Sequence, residues 1–325
     1  MSNFEMEIGV NWNCVFSLLP YDCTGKILAL TSPVDVCRVS LVSKSLQSAA
    51  DSDSVWEKFL PSDYESIISG SVNPIPDFAS KKELYVYLCH NPILINEGRK
   101  CFSLDKWSGK KCYFLGGRNL NISWDTPKYL KWISLPDSRF PEVAKLDYDW
   151  CLDIQGTIRA GVLSPRTSYA AYFVYKLKNE SEFHLRPVNV SVGIFGVKLE
   201  TRLAFLVPVK DRPQHRNHID AEDVSEPKPK PEQLDDDFEE SIAEKYRRLL
   251  DRLWQHIPEN ATGSVRSIVQ RPKLRDDGWL EVELGEFYTE NEEDCIEMNL
   301  NEVDDCAFLK KGLIIEGIEI RPRMG

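Results

Sequence analysis

The chain has 325 residues, 42% of them hydrophobic and 28% charged, with a formal net charge of −11 at pH 7. That is globular composition, with room for two domains or one large one. The acid excess argues against a general polyanion binder, because affinity for phosphate backbones comes from clustered Lys and Arg, and an anionic membrane surface is an equally poor match.

Residues 1–15 form an N-terminal tail whose start, "MSNFEMEIGVNWN", is acidic and lacks a basic stretch followed by an apolar run, so no secretory signal is expected. No apolar run in the chain approaches the ~20 residues of a spanning helix. The expected location is cytoplasmic and/or nuclear. The nine cysteines suit a reducing compartment: the number is odd and no two form a CxxC pair. Neither a disulfide framework nor a zinc site is expected, and the thiols should pack as small hydrophobes. No cofactor and no metal is expected.

Residues 16–64 carry repeated helix punctuation. Ser32, Pro33 and Asp35 make a helix start: an N-cap, a proline at the first position and an acid near the positive dipole end. Val36, Val39 and Val42 recur at helical spacing, with Leu41 and Leu46 alongside. Ser52 or Asp53 can cap another short helix holding Val55, Trp56, Phe59 and Leu60, which Pro61 ends. A unit this small is marginal unless it docks on something. Leu18, Leu19, Ile27 and Leu28 are therefore either contacts for a partner or packed on the rest of the chain. Trp56 and Phe59 are the expected internal anchors.

Residues 65–117 read as a connector with one short helix around Lys81–Cys89, a hairpin turning near Trp107–Gly109 and a bend at Gly116–Gly117. "SGKK" at 108–111 lacks the first glycine, the Ser/Thr and the following helix of a phosphate loop.

From residue 118 to 325 the pattern has period two. "YAAYFVYKL", Tyr169–Leu177, is apolar on both faces, as a central strand would be. In "GWLEVELGEF" Leu280, Val282 and Leu284 face one way, and Trp279, Glu281 and Glu283 the other. "WCLDIQGTI" and "GLIIEGIEIRP" are further strands. Many short strands without repeating helices predict an antiparallel β-sandwich behind the small helical unit, a multidomain α+β chain. Residues 211–262 interrupt it with an acidic, proline-rich insertion, extended or disordered first, then an amphipathic helix over about Asp237–His256.

Catalysis finds little support. Adjacent acids such as Asp276–Asp277 and Glu292–Glu293 point to opposite faces of a strand, no carboxyl spacing for glycoside chemistry is evident, and no nucleophile–base set stands out among the five histidines. A binding role is expected, not an enzyme.

The residues Leu19-Pro20, Ile27, Leu30-Thr31-Ser32-Pro33, Asp35, Cys37-Arg38, Leu41-Val42-Ser43-Lys44 and Val55-Trp56 resemble an F-box. Downstream, "GRNLNISW", "YLKWISLPDSRFPEVAKL", "WCLDIQGTI", "SPRTSYAAYFVYKL", "DGWLEVELGEF" and "GLIIEGIEIRP" resemble the phloem protein 2 family of plant lectins, to which the tobacco agglutinin Nictaba belongs. The resemblance implies a three-helix F-box that docks on the Skp-type adaptor, and through it the cullin, of an SCF ubiquitin ligase. That role falls on Leu19, Pro20, Ile27, Leu28, Leu30, Pro33, Leu41 and Val42. It also implies a jelly-roll-like lectin sandwich that binds N-acetylglucosamine oligomers, N-glycans or glycoproteins. Sugar recognition needs an aromatic face for the C–H side of the ring and carboxylates for the hydroxyls. Trp124, Tyr129 and Trp132 are the candidate platform, and Glu281, Glu283 and Glu286 the candidate acceptors. Leu130 stands where the tobacco lectin has a tryptophan. The alternative partner is a protein bound without carbohydrate. No nucleic acid and no membrane is expected.

Overall fold

A computed structural model describes residues 19–123, 128–147, 152–178, 183, 187–197, 200–208, 269–302 and 311–323. The N-terminal tail, Leu18, Trp124 and the insertion at 211–262 lie outside the described residues.

Four short helices open the described chain: α1 (Tyr21–Leu28), α2 (Pro33–Val39), α3 (Lys44–Ala50) and α4 (Asp53–Trp56). Ser32 caps α2 as its sequence predicts, its Oγ accepting from the Asp35 amide at 3.2 Å. The same hydroxyl donates to the Asp35 carboxylate and holds its pKa below the usual range. The valine spacing does not carry one helix through Val42. Ser43 is extended and caps a new helix through the Leu46 amide, so α2 stops at Val39 and Val42 stands in the turn, 68% exposed. Trp56 is the anchor of the unit. It is 1% exposed, and its indole donates to the Ala50 carbonyl at 2.7 Å.

Two further helices follow, α5 (Tyr64–Ser69) and α6 (Lys81–His90). The second is the expected connector helix, with Ser80 as its cap. The strands are β1 (Ile93–Ile95), β2 (Lys100–Leu104), β3 (Lys111–Gly116), β4 (Asn121–Ile122), β5 (Leu130–Ile133), β6 (Val143–Leu146), β7 (Asp153–Arg159) and β8 (Ser168–Leu177). They continue with β9 (Pro187–Ile194), β10 (Arg202–Phe205), β11 (Val269–Gln270), β12 (Lys273–Leu274), β13 (Leu280–Tyr288), β14 (Cys295–Glu302) and β15 (Leu313–Pro322). The first sheet runs β1-β2-β3-β15-β8-β13-β12, with β6 pairing β15 and β5 pairing β6. The second runs β11-β10-β9-β14-β7-β4. Among the described pairings only β10–β11 is parallel. The two sheets form the expected antiparallel sandwich, with β8 central and buried on both faces.

The hairpin placed in the connector belongs to this sheet. β3 pairs β15 from Tyr113↔Ile320 to Gly116↔Gly317, so the sandwich begins well before residue 118. The backbones run so close there that a Cβ on Gly317 would sit 1.9 Å from the Leu115 carbonyl oxygen.

Among the described residues the larger apolar core runs through both the helical unit and the sandwich. Leu28, Trp56, Leu88, Phe102, Phe173 and Ile318 belong to a single packed cluster. The helical unit is fixed to the sandwich through it. The rings of Trp56 and Tyr85 lie 5.1 Å apart, and the buried Lys111 ammonium pairs with Asp63 at 2.8 Å. A smaller cluster covers part of the outer face of the first sheet: Phe114, Phe140, Val174, Trp279 and Ile314 with Cys101. Trp279 faces away from Val282 as its alternation predicts, yet it is fully buried, because the loop before Phe140 folds over it and takes its indole N–H at the Asp137 carbonyl.

Candidate adaptor face and candidate glycan site

Helices α1 to α3 put most of the candidate adaptor residues in solvent. Leu30, Leu41 and Val42 are 88%, 86% and 68% exposed. Leu19, Pro20 and Ile27 are exposed beside them. The first three stand in the turns that follow α1 and α2, where no neighbouring helix covers them. Leu28 and Pro33 depart from the expectation. Both are buried, and Leu28 belongs to the main core. Tyr21 is exposed on α1, with its hydroxyl donating to the Ser48 carbonyl at 2.9 Å. It extends the apolar surface, and its place at a helix start gave no sequence signal. Large apolar side chains are thus exposed along this face of the helical unit.

The candidate glycan residues fall in two places. Trp132 is half-buried on β5, packed against the main core. The Arg118 guanidinium lies over its ring at 3.7 Å and pairs with Glu142 at 2.8 Å. Tyr129 is half-buried just before β5. Leu130 is 3% exposed, so the side chain at that position fills the core and presents nothing to a ligand. Arg118 and Glu142 are the polar neighbours that sequence reasoning missed. Arg118 lies in the quoted "GRNLNISW", but nothing in its spacing says that it stacks.

Glu281, Glu283 and Glu286 all sit on the outer face of the first sheet, opposite Val174, Tyr172 and Ala170 of β8. The chain of pairings Trp132↔Ala144, Ala144↔Ile315, Ile315↔Tyr175 and Tyr175↔Leu280 separates them from Trp132 by four strand spacings, about 19 Å. One sugar ring cannot touch both sets. The glutamates also have other work. Glu281 accepts from Arg275 and from Arg321, each at 3.0 Å, and Glu286 pairs with Arg323. Arg275 is 10% exposed and reaches Glu319 and Asp277 as well. These facing carboxylates raise the Arg275 pKa against the opposing effect of burial. Glu281 is therefore a structural counter-ion rather than a free acceptor. Among the described residues no cluster of His, Cys, Asp and Glu could hold a metal ion, and no helix is long and apolar enough to cross a membrane.

The phloem protein 2 family model matches residues 110–322, and the F-box domain model matches residues 16–58. The chain belongs to the phloem protein 2 family. More closely, it is an F-box protein with a phloem protein 2 domain. Among the proteins it is similar to are three from Arabidopsis thaliana. F-box protein At2g02240 is 40% identical over 94% of this chain and 80% of the relative. F-box protein PP2-B1 is 38% identical over 97% and 92%. F-box protein PP2-B10 is 37% identical over 94% of each. F-box proteins of this phloem protein 2 type are non-catalytic.

Proposed function

We propose that this protein is the substrate-recognition subunit of an SCF-type ubiquitin ligase. The F-box docks on the Skp-type adaptor, the adaptor holds the cullin, and the sandwich captures the target. The ubiquitin chemistry lies in other subunits. The observation that carries this is the exposure of Leu30, Leu41 and Val42 on a unit whose own core, built on Val36 and Trp56, is already complete. Side chains that add nothing to the fold are available to a partner, and an apolar helix-groove contact suits them. Capture of a plant Skp-type adaptor by the full chain tests it. Leu30→Asp with Leu41→Asp should abolish capture while leaving the melting temperature within 1 °C. Undiminished capture would sink the assignment.

For the sandwich we infer a glycan-reading surface at Trp132, Tyr129 and Trp124, with Arg118 and Glu142 as the polar groups around Trp132. N-acetylglucosamine oligomers and N-glycan cores are the ligands this suits. Calorimetry with chitotriose should show binding that Trp132→Ala removes. The engagement of Glu281 and Glu286 in ion pairs favours a second reading, a protein target taken without carbohydrate. Absence of chitotriose binding by the folded parent would select it.

A further inference from the structure

One face of the Trp132 ring is already taken. The ring packs at the border of the main core, with Ala144 directly opposite on β6. Gly117 comes so close that a Cβ there would lie 3.3 Å from the ring. Over the ring lies the Arg118 guanidinium, 3.7 Å from the ring centre. A planar cation at that distance is in stacking contact. A pyranose laid on an indole needs the same layer of space, since carbon atoms in contact stand about 3.5–4.0 Å apart. Guanidinium and sugar cannot both occupy it.

Two neighbours aim Arg118 there. It sits in the tight turn Gly117–Asn119 that follows β3, and its Nε and Nη2 both donate to one oxygen of Glu142, at 3.1 and 2.8 Å. Glu142 stands just before β6, the strand that pairs with the Trp132 strand. The carboxylate thus fixes the guanidinium plane. Both side chains are well exposed, at 42% and 49%. An ion pair so open to water is weak, and salt weakens it further, so this cover can be lifted at small cost.

We propose that Arg118 and Glu142 form a displaceable cap on the sugar platform, and that N-acetylglucosamine oligomers bind by exchange. The pyranose takes the place of the guanidinium over Trp132, and Glu142, released from Arg118, accepts from its hydroxyls. This rests on the glycan reading of the sandwich given above. Exchange makes the pair specificity-determining. A neutral ring with an apolar face and hydroxyl donors replaces both contacts that Arg118 gives up. A ligand without the donors leaves Glu142 unpaired, and an anionic one is repelled by it.

Calorimetry of the full chain with chitotriose reads the exchange. Arg118→Ala removes the cap and should tighten binding about fivefold. Adding Glu142→Gln to that variant removes only the acceptor, and should weaken binding about fivefold relative to Arg118→Ala. Chitotriose is uncharged, so raising salt from about 50 to about 500 mM screens the cap alone and should tighten parental binding about twofold. Arg118→Ala should show no such rise. Hydroxyl-radical footprinting, read by peptide mass spectrometry, follows the ring without sugar. Trp132 should oxidise about threefold faster in Arg118→Ala than in the parent, while Trp56 and Trp279, both buried, keep their rates and report that the variant is folded. Chitotriose bound by the parent as tightly as by Arg118→Ala overturns the cap and leaves the glycan reading standing. An unchanged oxidation rate at Trp132 does the same. Absence of binding by both the parent and Arg118→Ala overturns the glycan reading, and the exchange with it. The salt series on the parent needs no variant, so it decides alone if Arg118→Ala fails to fold, and affinity that does not rise with salt then overturns the cap.

Discussion

Replacing Arg275 with methionine separates a structural role for Glu281 from a ligand-binding one. The arginine side chain is 10% exposed, and Glu281 and Glu319 beside it are 13% and 11% exposed. Its Nη1 donates to both carboxylates, at 3.0 and 2.5 Å. Charge-assisted bonds are worth about 1.5–3 kcal/mol each, and stranding a buried charge costs about 3–5 kcal/mol. Both acids keep a second partner, Arg321 for Glu281 and Arg139 for Glu319. The net loss should fall near the lower bound, about 3 kcal/mol. At roughly 2–4 °C per kcal/mol for a domain of this size, the melting temperature should drop by about 8 °C. Circular dichroism of the full chain at pH 7 reads it. Glu281→Gln keeps the size and loses the charge, so it should melt earlier too, by a smaller amount. A melting temperature unchanged in Arg275→Met would refute the structural assignment. So would a Glu281→Gln variant of parental stability that loses sugar binding.

Three further outcomes are expected. Burial pushes the Glu316 carboxyl up; one of its oxygens accepts from Ser138 and the Arg139 amide while the other has no partner. The folded state then holds its proton longer than the unfolded state, so this group's contribution is full at low pH and is lost as pH rises through its raised value. Glu316→Gln should therefore gain stability relative to the parent as pH rises above the ordinary glutamate value of about 4.3, and a difference in melting temperature that stays flat with pH would count against it. Gly317→Ala drives a methyl into the Leu115 carbonyl and should cost about 3 kcal/mol or give no soluble protein, read by urea unfolding. Trp56→Ala empties the anchor site under Ala50 and beside Tyr85 and should cost about 3–5 kcal/mol; an unfolding midpoint like the parent's would show that the helical unit does not depend on it.

What could be read in the residues alone follows how local each signal is. The Ser32 cap needs four residues, and the alternation of β13 needs six; both are visible without the fold. The F-box and sandwich motifs were legible for the same reason. The break between α2 and α3 was not, since Ser43 looks no different from other serines and only its extended backbone makes it a cap. The paired glycines at 116 and 117 read as a boundary, whereas Gly116 is the last residue of a strand of the sheet and is glycine because the Phe140 ring packs 2.7 Å from where its Cβ would be. The glutamates of β13 face outward as their pattern says, but their partners Arg275 and Arg321 come from either side of β13 in sequence, and only the register brings them together. The same limit applies to Leu28 and Pro33: an apolar residue on a short helix does not declare which face is covered.

The single core running from Leu28 to Ile320 makes the protein a bracket rather than a tether. A flexible linker would let a captured target sweep a volume around the F-box and meet other subunits at an effective concentration set by its length. Here Trp56, Tyr85 and the Lys111–Asp63 pair bolt the two units at one bearing. On the proposed adaptor role, whatever the sandwich holds would be presented at a fixed height and azimuth above Leu30, Leu41 and Val42. Which of its surface lysines came within reach would then be decided by the shape of the target.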